Sequence, residues 1–127
     1  MDRDSALLKQ RVDEYISELA ILANQDSPEA LSEYLNDCWD MEFTFNQQGQ
    51  FNGFSFAVAI GGPNIYITCH RCQAWATING SWGGSHYQDF LNADISDAIW
   101  DEGEHLAELA TYAIEARSHN NLWSHAA

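Results

Sequence analysis

The segment Cys69-His70-Arg71-Cys72 holds the residues of this chain whose types and spacing are best suited to chemistry. A C-x-x-C pair at a hairpin can supply two of the four ligands of a structural zinc ion, and a second pair then supplies the others. The sequence contains no second C-x-x-C. The other residues considered as zinc ligands are scattered along the chain: Cys38, His86, His105 and His119.

Thiol redox chemistry is the other activity typical of this motif, which then lies at a helix amino terminus that lowers the thiol pKa. Cys69 and Cys72 fall between two predicted strands instead. We interpret the segment as a tight turn with two reduced thiols and predict no cofactor, with zinc bound through Cys69 and Cys72 as the alternative. Because the motifs of serine hydrolases, zinc proteases and phosphate-binding loops are also missing, we predict no catalytic residues and a protein that is not an enzyme.

These residues belong to a chain of 127 residues, long enough for one domain with a core. The changes in apolar periodicity predict a single domain, 1–127, with helices at about 4–24 and 28–37, a sheet at about 40–90, a helix at about 92–117 and an irregular tail at 118–127. This order predicts an α+β fold, with an antiparallel four- to five-stranded meander, two N-terminal helices and one long C-terminal acidic helix. We expect the helices to share one face of the sheet.

Aromatic residues in the sheet form a possible contact surface. Residues 74–78 are predicted as a strand and Asn79-Gly80 as a type I′ hairpin turn. In that register Tyr66, Trp75 and Trp82 occupy alternate positions of neighbouring strands, on the face away from the helices. They would suit a protein partner, or they pack beneath the long loops or against a second subunit.

The charge balance restricts the partners of this chain. Asp and Glu number 19 against 5 Lys and Arg, for a formal net charge of −14. Such a surface repels nucleic acid and anionic membranes and attracts basic proteins. No Lys or Arg occurs in residues 12–70 or 72–116, so most carboxylates lack a basic neighbour in sequence. With no apolar run of membrane-spanning length and no signal-peptide pattern, we expect a soluble intracellular protein.

The closing helix is predicted to separate acidic and apolar residues onto opposite faces. Spacings of three, four, three, four and seven residues place six carboxylates within an arc of about 80°, extending about 30 Å along the axis. They are Asp94, Asp97, Asp101, Glu104, Glu108 and Glu115, called here the acidic stripe. Like charges one turn apart destabilise a helix by about 0.2–0.5 kcal/mol per pair, so the stripe is either a solvated face or a functional surface. A second acidic patch is predicted on the second helix, at Glu29, Glu33 and Asp37.

Several segments together resemble a set of small acidic proteins encoded by bacterial phages and integrative elements. The similar segments are Asp40-Met41-Glu42-Phe43, Gly61-Gly62-Pro63-Asn64-Ile65-Tyr66-Ile67, Gly80-Ser81-Trp82 and Asp94-Ile95-Ser96-Asp97-Ala98-Ile99. The resemblance covers roughly residues 30–108, and the GGPN turn is its most specific motif. The chain departs from the set at Cys69 to Cys72, where those proteins tend to have a charged turn. The resemblance implies a mobile element and the cytoplasm of a bacterial host, where such proteins often inhibit CRISPR or restriction machinery, sometimes by mimicking DNA.

The sequence therefore predicts a non-enzymatic inhibitor whose acidic faces block the basic nucleic-acid-binding cleft of a host defence complex. Its partner would be a basic nucleic-acid-binding protein or complex of the bacterial host, without direct contact to nucleic acid or membrane. The alternative is a protein-interaction module or homodimer that uses the aromatic sheet face, with acidity serving only solubility.

Overall fold

The computed structural model describes residues 3–24 and 28–126, and side chains no further than residue 116. The elements are α1 (Arg3–Ala23), α2 (Glu29–Asn36), β1 (Trp39–Phe45), β2 (Phe51–Ala59), β3 (Asn64–His70), β4 (Thr77–Trp82), β5 (Ser85–Phe90) and α3 (Ala93–Ala126). The five strands pair antiparallel with their sequence neighbours in one sheet. The predicted α+β meander with two N-terminal helices and a long C-terminal helix is confirmed. Within the described ranges, no helix has the length and apolar character needed to cross a bilayer.

The core lies on one face of the sheet. Phe56, Ile67 and Ile78 are fully buried and stand side by side on β2, β3 and β4. Helix α1 packs on β4 and β5, α3 packs on β2 and β3, and α2 contacts both of these helices. The helices bury these residues in the core: Leu8, Val12, Leu19, Leu31, Leu35, Ile95 and Ile99. The described helices therefore share the predicted face of the sheet.

The predicted turn at Asn79-Gly80 is wrong, because both residues lie inside β4. The hairpin reverses four residues later, at Gly83-Gly84, where Gly83 has a φ of 59°. Gly80 faces α1, and a Cβ there would stand 2.8 Å from Cδ1 of Leu8. This glycine permits a close approach between helix and strand, a tertiary requirement that the local Asn-Gly signal does not reveal.

The predicted strand at 74–78 is also partly wrong. Strand β4 begins only at Thr77, and residues 71–76 form the loop between β3 and β4. The loop starts as a turn, in which the backbone N–H of Gln73 donates to the carbonyl oxygen of His70 at 3.0 Å. Trp75 consequently lies outside the sheet.

Helix α3 is longer than predicted: it ends at Ala126, not near 117, so residues 118–126 are helical instead of irregular. Residue 127 lies outside the described part. Residues 118–127 contain neither Gly nor Pro, so no residue there stops a helix. At 1.5 Å per residue, a 34-residue helix is about 51 Å long, whereas five strands span only about 24 Å. Its distal part therefore overhangs the sheet, and there Leu109, Tyr112 and Ile114 are 52%, 70% and 65% exposed.

Candidate interaction surface along helix α3

The first turn of α3 is fixed to the sheet by polar contacts. Asn92 caps the helix, since its Oδ1 accepts from the backbone N–H of Ile95 at 2.9 Å. The buried Ser96 hydroxyl accepts from the backbone N–H of Ala76 at 2.9 Å and donates to the carbonyl oxygen of Leu91 at 3.1 Å. These bonds set where the helix starts and hold it against the strand ends.

Burial sets the rotation of α3 about its axis. Ile95, Ile99 and Ala107 are buried, and Gly103 lies against the ring of Phe54. The acidic stripe lies on the opposite side, because its residues are offset by about half a helical turn. All six of its residues are exposed: Asp94, Asp97, Asp101, Glu104, Glu108 and Glu115.

The basic residues of the described chain leave the stripe unneutralised. The ion pairs among the described side chains lie within α1, between Lys9 and Asp13 at 2.7 Å and between Arg11 and Glu14 at 3.5 Å. Among side chains described up to residue 116, no stripe carboxylate forms a salt bridge. The stripe carboxylates therefore have no ion-pair partner among the described side chains.

The second predicted acidic patch lies on α2. Glu29, Glu33 and Asp37 are all exposed there. The start of α2 meets the middle of the stripe, because Pro28 and Asp101 line the same cleft of about 300 Å³. The two acidic surfaces thus approach each other at one end of α2.

A groove runs beside the stripe and consists of two adjoining concavities, together called here the trough. The proximal concavity, of about 340 Å³, lies between the β3–β4 loop and the first turns of α3. Its walls include His70, Asp97 and Trp100. The distal concavity, of about 590 Å³, lies between the β1–β2 hairpin and the overhanging part of α3. Arg71 and Glu104 line both concavities, so the two adjoin each other.

The distal concavity combines aromatic side chains with acidic ones. Its aromatic residues are Phe45, which is 43% exposed, with Phe51 and Tyr112. Its acidic residues all belong to the stripe: Glu104, Glu108 and Glu115. Apolar anchors within a charged rim are typical of protein interfaces.

Arg71 is the basic residue of the trough among the described side chains, and two of its side-chain nitrogens donate to a backbone carbonyl. Its Nη2 and Nε donate to the carbonyl oxygen of Phe51 at 2.6 and 3.1 Å. Its backbone N–H also donates to the carbonyl oxygen of Asn52 at 2.8 Å. The guanidinium therefore ties the β3–β4 loop to β2 and forms no salt bridge with Glu104.

The Cys69 and Cys72 thiols lie in different environments. Cys69 is buried opposite Phe54, and burial raises the pKa of its thiol to about 12. Cys72 is exposed in the loop. His70, between them, accepts from the backbone N–H of Cys72 at Nδ1, and its Nε2 lies 3.3 Å from Nδ2 of Asn52.

No three His, Cys, Asp or Glu side chains stand together as a possible metal site within the described part of the chain. Cys38, His86 and His105 are among the described side chains, whereas His119 is not. Among the described side chains, Cys69 and Cys72 therefore have no further ligands that would complete a zinc site.

The predicted aromatic sheet face does not form. Tyr66 lies on the sheet face away from the helices and donates from its hydroxyl to Oδ2 of Asp40 at 3.1 Å, a bond that raises the pKa of Tyr66. Trp75 is in the β3–β4 loop, and Trp82 shares the strand side of Gly80, which faces α1. The assignment of Trp82 to the outer face was wrong because the hairpin turn was placed at Asn79-Gly80. A change of one residue in strand register moves a side chain to the other face of the sheet.

Phe45, Phe51, Arg71 and Tyr112 are trough residues that the sequence reasoning missed. Their proximity depends on the hairpin meeting a helix some sixty residues further along the chain, a contact that no local pattern encodes. One signal was available: a closing helix that is much longer than the width of its sheet has to overhang an edge.

No protein-family model, curated protein or solved structure matches this chain.

Proposed function

We propose that this protein is a non-enzymatic inhibitor that places the acidic stripe of α3 in the basic nucleic-acid-binding cleft of another protein. The observation that carries the proposal is six exposed carboxylates on one side of a single helix, without a salt bridge among the described side chains. A cleft that binds phosphates is lined by Lys and Arg. The carboxylates of the stripe would give these residues the electrostatic attraction that nucleic acid normally supplies.

The spacing of the stripe suggests which part of a nucleic acid it would imitate. Six carboxylates over the 22 residues from Asp94 to Glu115 give about one charge per 6 Å along the axis. Duplex DNA carries one charge per 1.7 Å of axis, and each of its strands carries one per 3.4 Å. The stripe is thus a sparse substitute for one strand, and contacts from the aromatic residues of the trough would have to supplement its electrostatic attraction.

We propose a host defence complex, of the CRISPR or restriction type, as the partner because the GGPN turn and the other segments named above resemble acidic proteins of phages and integrative elements. The alternative, an interaction module or homodimer using Tyr66, Trp75 and Trp82, has lost its proposed surface. These residues lie on two sheet faces and a loop, so they do not form the single sheet face on which the alternative depends.

The test is a pull-down from bacterial host lysate with the wild-type protein and an Asp97→Lys/Asp101→Lys/Glu104→Lys variant. A matched control, Asp4→Lys/Glu14→Lys/Glu18→Lys, makes the same change in net charge at exposed positions of α1. We expect the wild type and the control to retain a nucleic-acid-binding complex that added DNA displaces. Equal retention by the stripe variant would refute the proposal.

A further inference from the structure

We propose that the trough binds a basic amphipathic segment of the partner protein. An apolar side chain of that segment would sit between Phe45 and Tyr112, and its Lys and Arg side chains would face the stripe. The inference rests on the proposed function and adds the chemistry of the partner. The trough contains aromatic as well as acidic side chains, so a partner with positive charge alone would not match it.

Aromatic side chains form part of the wall of the distal concavity. Phe45 extends from the end of β1, and Tyr112 lies on the part of α3 that overhangs the sheet. Both side chains are substantially exposed and line a single concavity of about 590 Å³. A cavity of this size with aromatic walls accommodates a large apolar side chain, and such buried anchors supply most of the free energy of protein binding.

The charge of the trough indicates which kind of segment would provide that apolar side chain. Asp97, Glu104, Glu108 and Glu115 line it, and the guanidinium of Arg71 is engaged by a backbone carbonyl. A second copy of this chain would bring the same carboxylates against these, and nucleic acid or an anionic membrane would bring phosphates. A segment with Lys or Arg beside its apolar residues is the occupant that this charge attracts.

The length of the surface sets the size of the probe. From Asp97 to Glu115 the axis of α3 runs about 27 Å, which a helical peptide of about 18 residues matches. The probe is therefore a synthetic basic amphipathic peptide of that length, built from Lys and Leu. Its control peptide keeps every Lys and replaces every Leu by Ser.

The experiment measures the affinity of both peptides by isothermal titration calorimetry for wild type, Phe45→Ala and Tyr112→Ala. Phe90→Ala is the matched control, because Phe90 is 56% exposed on β5, outside the trough. We expect wild type and Phe90→Ala to bind the Lys/Leu peptide about tenfold more tightly than the Lys/Ser peptide. Phe45→Ala and Tyr112→Ala should remove that difference and leave the affinity for the Lys/Ser peptide unchanged.

Each contrary outcome has a separate meaning. Equal affinity of wild type for the two peptides overturns this inference and leaves the electrostatic inhibitor intact. Unchanged binding of both peptides by a Glu104→Gln/Glu108→Gln variant overturns the proposed function as well. A wild-type dimer in sedimentation velocity that Tyr112→Ala dissociates would assign the distal concavity to a second copy and also overturn the inference.

Discussion

Gly103 of α3 lies directly against the ring of Phe54 on β2, so closely that a Cβ at residue 103 would overlap ring atoms Cε1 and Cζ. A glycine in the middle of a helix normally costs stability, and here it permits a close approach between helix and sheet. The contact also sets the rotation of α3, and with it the outward direction of the acidic stripe.

Replacing Gly103 with alanine should therefore destabilise the protein. The gain in helix propensity is about 1 kcal/mol, and overpacking against Phe54 costs about 1–3 kcal/mol, so we expect a net loss of up to about 2 kcal/mol. Urea unfolding measures this change. Phe54→Leu should relieve the overlap, so the double variant should be more stable than the sum of the single effects predicts; simple additivity would contradict the packing argument.

Neutralising the stripe should stabilise the fold. An Asp97→Asn/Asp101→Asn/Glu104→Gln/Glu108→Gln variant removes four like-charge pairs, for an expected gain of about 1 kcal/mol at low ionic strength. The free energy of unfolding in urea measures the gain, and added salt should narrow the difference from wild type because it screens the repulsion. A variant less stable than wild type would show that the carboxylates have structural roles.

Binding of the partner complex should weaken steeply with salt. Between 50 and 500 mM salt we expect the Kd to rise by about tenfold or more, because screening removes the attraction between the stripe and a basic cleft. Fluorescence anisotropy of labelled protein against the purified complex measures the Kd. An affinity that does not change over this range would contradict electrostatic mimicry.

Stability should fall at alkaline pH because of the buried thiols. Burial raises the pKa of Cys69 to about 12 and that of Cys38 to about 11, both from an ordinary value of 9.0. Between pH 9 and the raised pKa of each thiol, the unfolded chain releases protons that the folded chain retains. The free energy of unfolding therefore decreases as pH rises above 9. For Cys69 the limiting slope is about 1.4 kcal/mol per pH unit.

Urea unfolding at pH 8, 9 and 10 tests this alkaline effect. Cys69→Ala lowers stability at every pH through lost packing, so the informative quantity is the dependence on pH. We expect a flatter decrease for Cys69→Ala than for wild type. Parallel curves for the two proteins would rule out a contribution from Cys69.

Features that depend on short-range periodicity could be predicted from the sequence alone. The fold class, the two N-terminal helices and the alignment of six carboxylates on one helix all follow from spacings of two, three or four residues. Net charge is independent of folding, so the sequence alone also indicated a basic partner.

Contacts between residues far apart in sequence depend on tertiary packing and could not be predicted from the sequence. Gly80 continues a strand because Leu8 packs over it, so the local Asn-Gly signal misplaced Trp82. Phe45 and Tyr112 line the same concavity because α3 extends beyond the sheet and passes the β1–β2 hairpin. Contacts of this kind depend on packing between elements distant in sequence, and the spacing of residues within one segment contains no information about them.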